Sequence, residues 1–128
     1  MKILDLVVKH KWYDMEESGE KPEEYREIKP YWFKRLIQYD REMYVGGDPI
    51  PDYFGDGTVF DTPAGNIKWD LDMSGALEFK EFTHVRFRRG YTNTTMLFKC
   101  EGITIGKGQP AWGAPEEEVF IIKLGERV

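Results

Sequence analysis

The stretch Gly19-Glu20-Lys21-Pro22-Glu23-Glu24-Tyr25-Arg26 separates a predicted helix from a predicted strand. Before it, apolar residues three positions apart predict a short helix over Lys11 to Ser18. Gly19 follows at the position where a helix favours a left-handed residue. Pro22 prevents the helix from continuing, and the pattern after it predicts a strand over Glu24 to Lys29.

Outside this stretch, the two ends of the chain are predicted to be rich in strands. Ile3 to Val8 is a dense apolar run, which predicts a strand buried on most of both faces. Pro30 can open a second helix carrying Trp32, Phe33, Leu36 and Ile37. Three more strands are predicted at Thr83 to Arg89, Thr95 to Ile105 and Glu118 to Leu124. Several strands with one or two flanking short helices predict an α+β fold, a small β-barrel.

The middle of the chain shows no sustained period. Val45 to Gly75 is rich in glycine, proline and acidic residues, which predicts a long irregular insertion that is either a functional flap or a mobile excursion. Within it, short strands are predicted at Thr58 to Phe60 and Ile67 to Trp69, with a turn at Pro63 to Asn66. The whole chain, residues 1–128, is predicted to be one domain with this insertion at about residues 39–82.

Composition limits the classes of function. The 128 residues carry a net charge of −5, which argues against a non-specific coat on nucleic acid but leaves room for a nucleotide site. No apolar run approaches the roughly 20 residues of a membrane span, and Asp5 interrupts any targeting segment, so we expect no membrane partner. The single cysteine, Cys100, is expected to be buried and inert in a reducing compartment, the cytoplasm. Two distant histidines give no metal site, and no cofactor motif is present.

The side chains of Lys21, Glu24 and Arg26 can converge on one spot, since Glu24 and Arg26 share a face of the predicted strand. An arginine fork suits a phosphate or a nucleobase edge, and a glutamate accepts hydrogen bonds from an amino group. The chemistry is equally typical of an ordinary surface ion-pair cluster. The residues alone leave both interpretations open.

The spacing Gly19-x-Lys21-x-x-Glu24-x-Arg26 resembles the G-x-K-x-x-E-x-R signature of the ASCH domain family, within the PUA-like superfamily. The strand and helix before it, and the closing strands, are also similar to that family, so the resemblance covers roughly two-thirds of the chain. It implies a PUA-like β-barrel with a cleft beside the first helix. It also implies that the partner is RNA or a modified nucleoside or nucleotide.

Under the first hypothesis the chain is a binding module for such a ligand. The candidate ligand-binding residues are Gly19, Lys21, Glu24, Arg26, Arg86 and Arg88, with the last two supplying nearby positive charge. The aromatic rings of Trp12, Tyr25 or Trp32 would offer stacking faces.

Two alternatives remain. Some small members of the family are amidohydrolases that remove the acetyl group of N4-acetylcytidine, and the resemblance then makes Lys21 and Glu24 catalytic. Glu24 stands where those enzymes have a threonine, and Glu78, Glu81 and Glu101 are candidates for their downstream acid. The third hypothesis is an interaction protein that recognises its partner through the insertion.

Overall fold

The computed structural model describes residues 1–40, 53–54 and 63–128. The helices and strands are β1 Ile3–Val8, α1 His10–Glu17, β2 Glu23–Arg26, α2 Pro30–Leu36, β3 Ile37–Tyr39, α3 Pro63–Asp72, β4 Leu77–Phe79, β5 His84–Arg89, β6 Thr95–Gly106 and β7 Val119–Arg127, with a 3-10 turn at Pro110–Trp112 before β7. Two compact units contain them. The first unit is Met1–Arg26 with Glu81–Val128, and the second is Glu27–Lys80.

The first unit is built on a mixed five-stranded sheet in the order β1-β5-β6-β7-β2. β1 runs parallel to β5, and the other neighbours are antiparallel. The two edge strands lie close to each other. Arg26 Nη2 of β2 donates a hydrogen bond of 3.1 Å to the Val7 carbonyl of β1. The sheet is therefore curled into a half-barrel, which confirms the predicted α+β class.

The inner face of this sheet forms the core of the first unit. In β1, Leu4, Leu6 and Val8 are buried, while Asp5 and Val7 are exposed. The prediction that β1 is buried on most of both faces was therefore wrong. The strand alternates because one face of the sheet packs against the core and the other meets solvent, as antiparallel and curled sheets commonly do.

The turn between α1 and β2 follows the sequence closely. Gly19 has φ +85°, the left-handed conformation predicted for it, and Lys21 N–H donates to the Met15 carbonyl at 3.0 Å. This bond fixes Lys21 beneath the last turn of α1. β2 ends at Arg26, three residues before the predicted end of the strand, and the second unit begins with the next residue.

The second unit departs further from expectation. Ile37, predicted to lie in the second helix, begins β3, which pairs antiparallel with β4. The strand predicted at Ile67 to Trp69 and the turn at Pro63 to Asn66 are both wrong, since α3 covers them. Ala64 and Ile67 are buried three positions apart, the helical spacing that the glycine- and proline-rich context hid. The strand predicted at Thr58 to Phe60 lies outside the described residues.

Candidate functional site

The ammonium group of Lys21 is the centre of a buried ionic cluster in the first unit. Lys21 is only 1% exposed, and its Nζ lies 2.8 Å from Glu24 Oε1, to which it donates a hydrogen bond. Lys21 Nζ also donates to the Glu23 carbonyl. The position of Lys21 is set by the turn after α1, whereas Glu24 is held by β2. The alternative of a surface ion-pair cluster was wrong, because both side chains are buried.

Glu16, on the last turn of α1, joins Lys21, Glu24 and Arg26 in this cluster. It is 1% exposed, and its Oε2 lies 3.6 Å from Lys21 Nζ. Burial, together with the nearby charge of Glu24, raises the pKa of Glu16 to about 9, although Lys21 and Arg26 oppose the shift. At neutral pH the Glu16 carboxyl therefore keeps its proton.

Three buried oxygens in the cluster have no hydrogen-bond partner: Glu16 Oε1, Glu16 Oε2 and Glu24 Oε2. Arg26 Nη1 lies 3.4 Å from Glu24 Oε2. Buried polar atoms in folded proteins are nearly always hydrogen-bonded, so each exception requires an explanation. These oxygens offer one proton donor and several acceptors to an added group.

Arg26 and Tyr25 connect the cluster to the sheet. Arg26 Nη1 donates to the Tyr25 carbonyl at 2.7 Å, and the arginine side chain, 15% exposed, is the most accessible of the three motif side chains. Tyr25 N–H donates to Glu24 Oε1 at 3.0 Å, which fixes that carboxylate beside Lys21. The Tyr25 hydroxyl donates to Glu23 Oε1 at 2.8 Å, and burial raises its pKa to about 12.

Two aromatic rings cover the Lys21 ammonium. Lys21 Nζ lies 5.0 Å from the centre of the Tyr25 ring and 6.0 Å from that of Trp12. The connection between β6 and β7, residues 107–118, packs against both rings. A Cβ atom at Gly108 would lie 2.5 Å from Tyr25 Cε1, and one at Gly113 would lie 2.8 Å from Trp12 Cζ2. Only glycine allows the backbone to approach the rings this closely.

The remaining predicted site residues lie elsewhere or act through the backbone. Arg86 is on the exposed face of β5 and donates two hydrogen bonds to Asp5, at 2.6 and 3.2 Å. Arg88, on the same face, donates to the Thr92 carbonyl at 2.9 Å. Both point away from the face that carries the buried Val85 and Phe87. Gly19 contributes its backbone conformation, and its N–H donates to the Glu16 carbonyl at 3.2 Å.

Glu16 is the site residue that the sequence did not reveal. Trp12 and Met15, three positions apart, share one face of the predicted helix, but the buried residues of α1 are Tyr13 and Glu16. These two are also three positions apart. The signal available in the sequence was a glutamate three positions after Tyr13, on the same face of a short helix.

Other candidate chemistry is absent from the described parts of the chain. No group of three or more metal-ligating side chains occurs within residues 1–40, 53–54 and 63–128. No helix there is long and apolar enough to cross a membrane. The Cys100 thiol is half-buried in β6, and burial raises its pKa, which disfavours the reactive thiolate.

The second unit contains a separate cavity of about 350 Å³. Its lining is mostly aromatic and aliphatic and consists of Pro30, Phe33, Lys34, Ile37, Tyr39, Tyr53 and Phe54. Apolar cavities of this size accept small molecules, so it is a competing location for a ligand.

Comparisons with known family models, characterised proteins and solved structures found no match to this chain.

Proposed function

We propose that this chain binds RNA or a single nucleotide, and that the ligand contacts the cluster of Lys21, Glu24 and Arg26 together with Glu16. The observation that carries the proposal is the presence of three buried oxygens without hydrogen-bond partners beside a buried ammonium. A nucleobase edge presents amino groups and ring nitrogens, which are the complements of these oxygens.

Charge supports the same class of ligand. With Glu16 un-ionised, the side chains of Lys21 and Arg26 carry two positive charges against the one negative charge of Glu24. Among these four side chains positive charge exceeds negative charge, which favours an anionic group such as phosphate. Arg26, the most accessible of the three motif side chains, is the group best placed to meet the phosphate first.

The fold that we propose is PUA-like, with the chain a member of the ASCH domain family. The curled mixed sheet, with α1 between its two edge strands in sequence, supports this assignment. The position of Lys21 beside α1, with Glu24 and Arg26 on β2, also supports the proposal.

Access to Lys21 requires a local movement, because the ammonium is covered by Trp12 and Tyr25. The connection of residues 107–118 is the segment to be displaced, since its glycines rest directly on these rings. Movement of such a connection leaves the strands of the sheet in place.

The binding proposal is tested by isothermal titration calorimetry with cytidine, cytidine 5′-monophosphate and uridine 5′-monophosphate. We expect saturable binding that weakens about tenfold in Arg26→Lys, because an ammonium cannot reproduce the guanidinium fork. Arg127→Lys is the matched control, since Arg127 makes an exposed pair with Glu17 and should bind as the wild type does. Absence of binding by all three ligands at millimolar concentration would refute the proposal.

A second candidate function is hydrolysis of N4-acylated cytidine. The observation that favours it is that the Lys21 ammonium lies between the carboxylate of Glu24 and the un-ionised carboxyl of Glu16. In this mechanism Glu24 takes a proton from Lys21, and the neutral Lys21 amine then takes a proton from a water molecule, whose oxygen adds to the acyl carbonyl carbon. Glu16 donates its proton to N4 of cytidine as the bond between that carbon and N4 breaks, so that acetic acid and cytidine leave. The proton on Glu24 then returns to Glu16 through Lys21. The two carboxyl groups have different surroundings, which suits Glu16 to act as the acid and Glu24 as the base.

Chromatographic detection of cytidine after incubation with N4-acetylcytidine tests this candidate. Turnover should be lost in Lys21→Arg, because arginine does not give up its proton, and it should fall in Glu16→Gln, which keeps the shape but has no acidic proton. Lys107→Arg, at an exposed site, is the control. Full turnover in a folded Lys21→Arg variant would exclude the mechanism.

A further inference from the structure

The hairpin tip between β5 and β6 presents a tyrosine to solvent. Tyr91 is 97% exposed, and it lies in the turn of residues 90–94. A large aromatic side chain with almost no protein contact gains nothing from burial, so packing does not account for it.

The backbone that carries Tyr91 is held firmly. Gly90 N–H donates to the Val8 carbonyl at 2.7 Å, and a Cβ atom at Gly90 would lie 2.9 Å from His10 Nε2. On the other side, Arg89 N–H donates to the Thr94 carbonyl at 2.9 Å. The Thr92 hydroxyl donates to the Arg89 carbonyl at 2.6 Å. The ring is thus presented from a preorganised turn, which lowers the entropy lost when a partner stacks on it.

Positive charge surrounds this turn in a chain that is acidic as a whole. Lys9 and Lys11 are exposed at the start of α1, next to the Val8 carbonyl that anchors the tip. Arg88 and Arg89 end β5, and Asp14 neutralises Arg89 through two hydrogen bonds of 3.0 and 3.1 Å. Three of the four cations are left without a carboxylate partner in the ion pairs of the described residues.

We propose that Lys9, Arg88 and Tyr91, the hairpin-tip patch, bind a single strand of nucleic acid. The tyrosine would stack on an unpaired base, and the two cations would contact the flanking phosphates. An exposed ring beside phosphate-binding cations is the arrangement by which proteins hold single strands without reading their sequence. A duplex keeps its bases stacked inside and offers the ring no face.

This inference adds a second contact surface, specific for a single strand, to the proposed function, and it rests on that function only for the class of ligand. The patch and the Lys21 cluster use different residues. The proposal for the patch can therefore be wrong while the proposal for the Lys21 cluster is right, and the reverse.

Fluorescence anisotropy with a labelled single-stranded oligouridylate tests the patch. Tyr91→Ala should weaken binding about fivefold or more, while Tyr91→Phe should bind as the wild type does, since phenylalanine keeps the stacking face. Tyr31→Ala is the matched control, because Tyr31 is also an exposed tyrosine (56%) and lies in the second unit. Equal affinity of the wild type and Tyr91→Ala would overturn the inference.

Salt dependence tests the two cations. A phosphate contact on a single strand contributes about 0.7 to the slope of log affinity against log salt, so Lys9→Ala with Arg88→Ala should lower that slope by about 1.4. Lys99→Ala, at an exposed position paired with Glu126, should leave the slope unchanged. An unchanged slope in the double variant would contradict phosphate contact.

Three further ligands distinguish failure of the patch proposal from failure of the proposed function. Duplex RNA of the same length and anionic lipid vesicles should bind weakly, and equal binding by either would show a generic anion surface and overturn the inference. Glu24→Gln should weaken binding of cytidine 5′-monophosphate while oligouridylate still responds to Tyr91→Ala. If neither variant changes binding of its own ligand, the patch and the proposed function are both wrong.

Discussion

The carboxyl of Glu16 and the ammonium of Lys21 are both buried to 1% exposure, yet their closest atoms stand 3.6 Å apart. This distance is longer than a good charge-assisted hydrogen bond. Lys21 Nζ instead donates to Glu24 and to the Glu23 carbonyl. Glu16 is therefore desolvated without compensating hydrogen bonds, which is a costly arrangement in a core position.

Replacing Glu16 should stabilise the protein. Methionine has a similar length and no polar atom that requires a partner, so Glu16→Met should raise the free energy of unfolding at pH 7 by about 1–4 kcal/mol. Urea unfolding measures the change. Glu17→Met, at the exposed neighbouring position, is the control and should change stability by no more than about 0.5 kcal/mol. Destabilisation by Glu16→Met would mean that Glu16 forms a strong ion pair with Lys21.

The gain from Glu16→Met should depend on pH. In the unfolded chain Glu16 loses its proton near its ordinary pKa of 4.5, whereas the folded protein keeps that proton up to about pH 9. The folded state therefore binds more protons across this window, and wild-type stability falls relative to the variant as pH rises. Urea unfolding at intervals from about pH 5 to about pH 8 should show a widening difference. A difference that is constant with pH would contradict an un-ionised Glu16.

Removing the Lys21 ammonium should destabilise the fold. Lys21→Met removes the positive charge that pairs with the buried Glu24 carboxylate and the donor of the Glu23 carbonyl, which should cost about 3–5 kcal/mol. Thermal or urea unfolding measures the loss. Lys107→Met removes the same charge from an exposed position and should be nearly neutral. An unchanged unfolding free energy in Lys21→Met would show that Lys21 does not hold the cluster together.

Glycine at position 108 should be essential to the contact between the β6–β7 connection and Tyr25. Gly108→Ala would place its Cβ 2.5 Å from the Tyr25 ring and 2.7 Å from Ala114 Cβ, and should cost about 1–3 kcal/mol. Gly106→Ala is the matched control, because its Cβ would meet Ile121 Cδ1 at an ordinary 3.5 Å. Unfolding experiments on both variants decide the matter, and equal stabilities would place the connection away from the ring.

Local signals in the sequence predicted most of the first unit. β1 was placed at its observed bounds, and Gly19 adopts the left-handed conformation because its position after a helix requires one. The convergence of Lys21 with Glu24 was also foreseen, since the turn and the strand that place them are local.

Features that depend on tertiary packing were not predictable in the same way. α3 begins at a proline and contains Gly65, residues that usually interrupt regular structure, and its stability comes from burial of Ile67 in the second unit. The burial of Lys21 depends on the rings of Trp12 and Tyr25, and the β6–β7 connection that packs against these rings is far away in sequence. Sequence periodicity carries no information on such contacts.

The most direct test of the central claim is an NMR titration of ¹⁵N-labelled protein with cytidine 5′-monophosphate. If the ligand contacts the Lys21 cluster, the largest saturable amide shifts should fall on residues 19–26 and on Trp12. The largest shifts on Phe33 and Tyr39, which line the cavity of the second unit, would contradict the claim and place the ligand there.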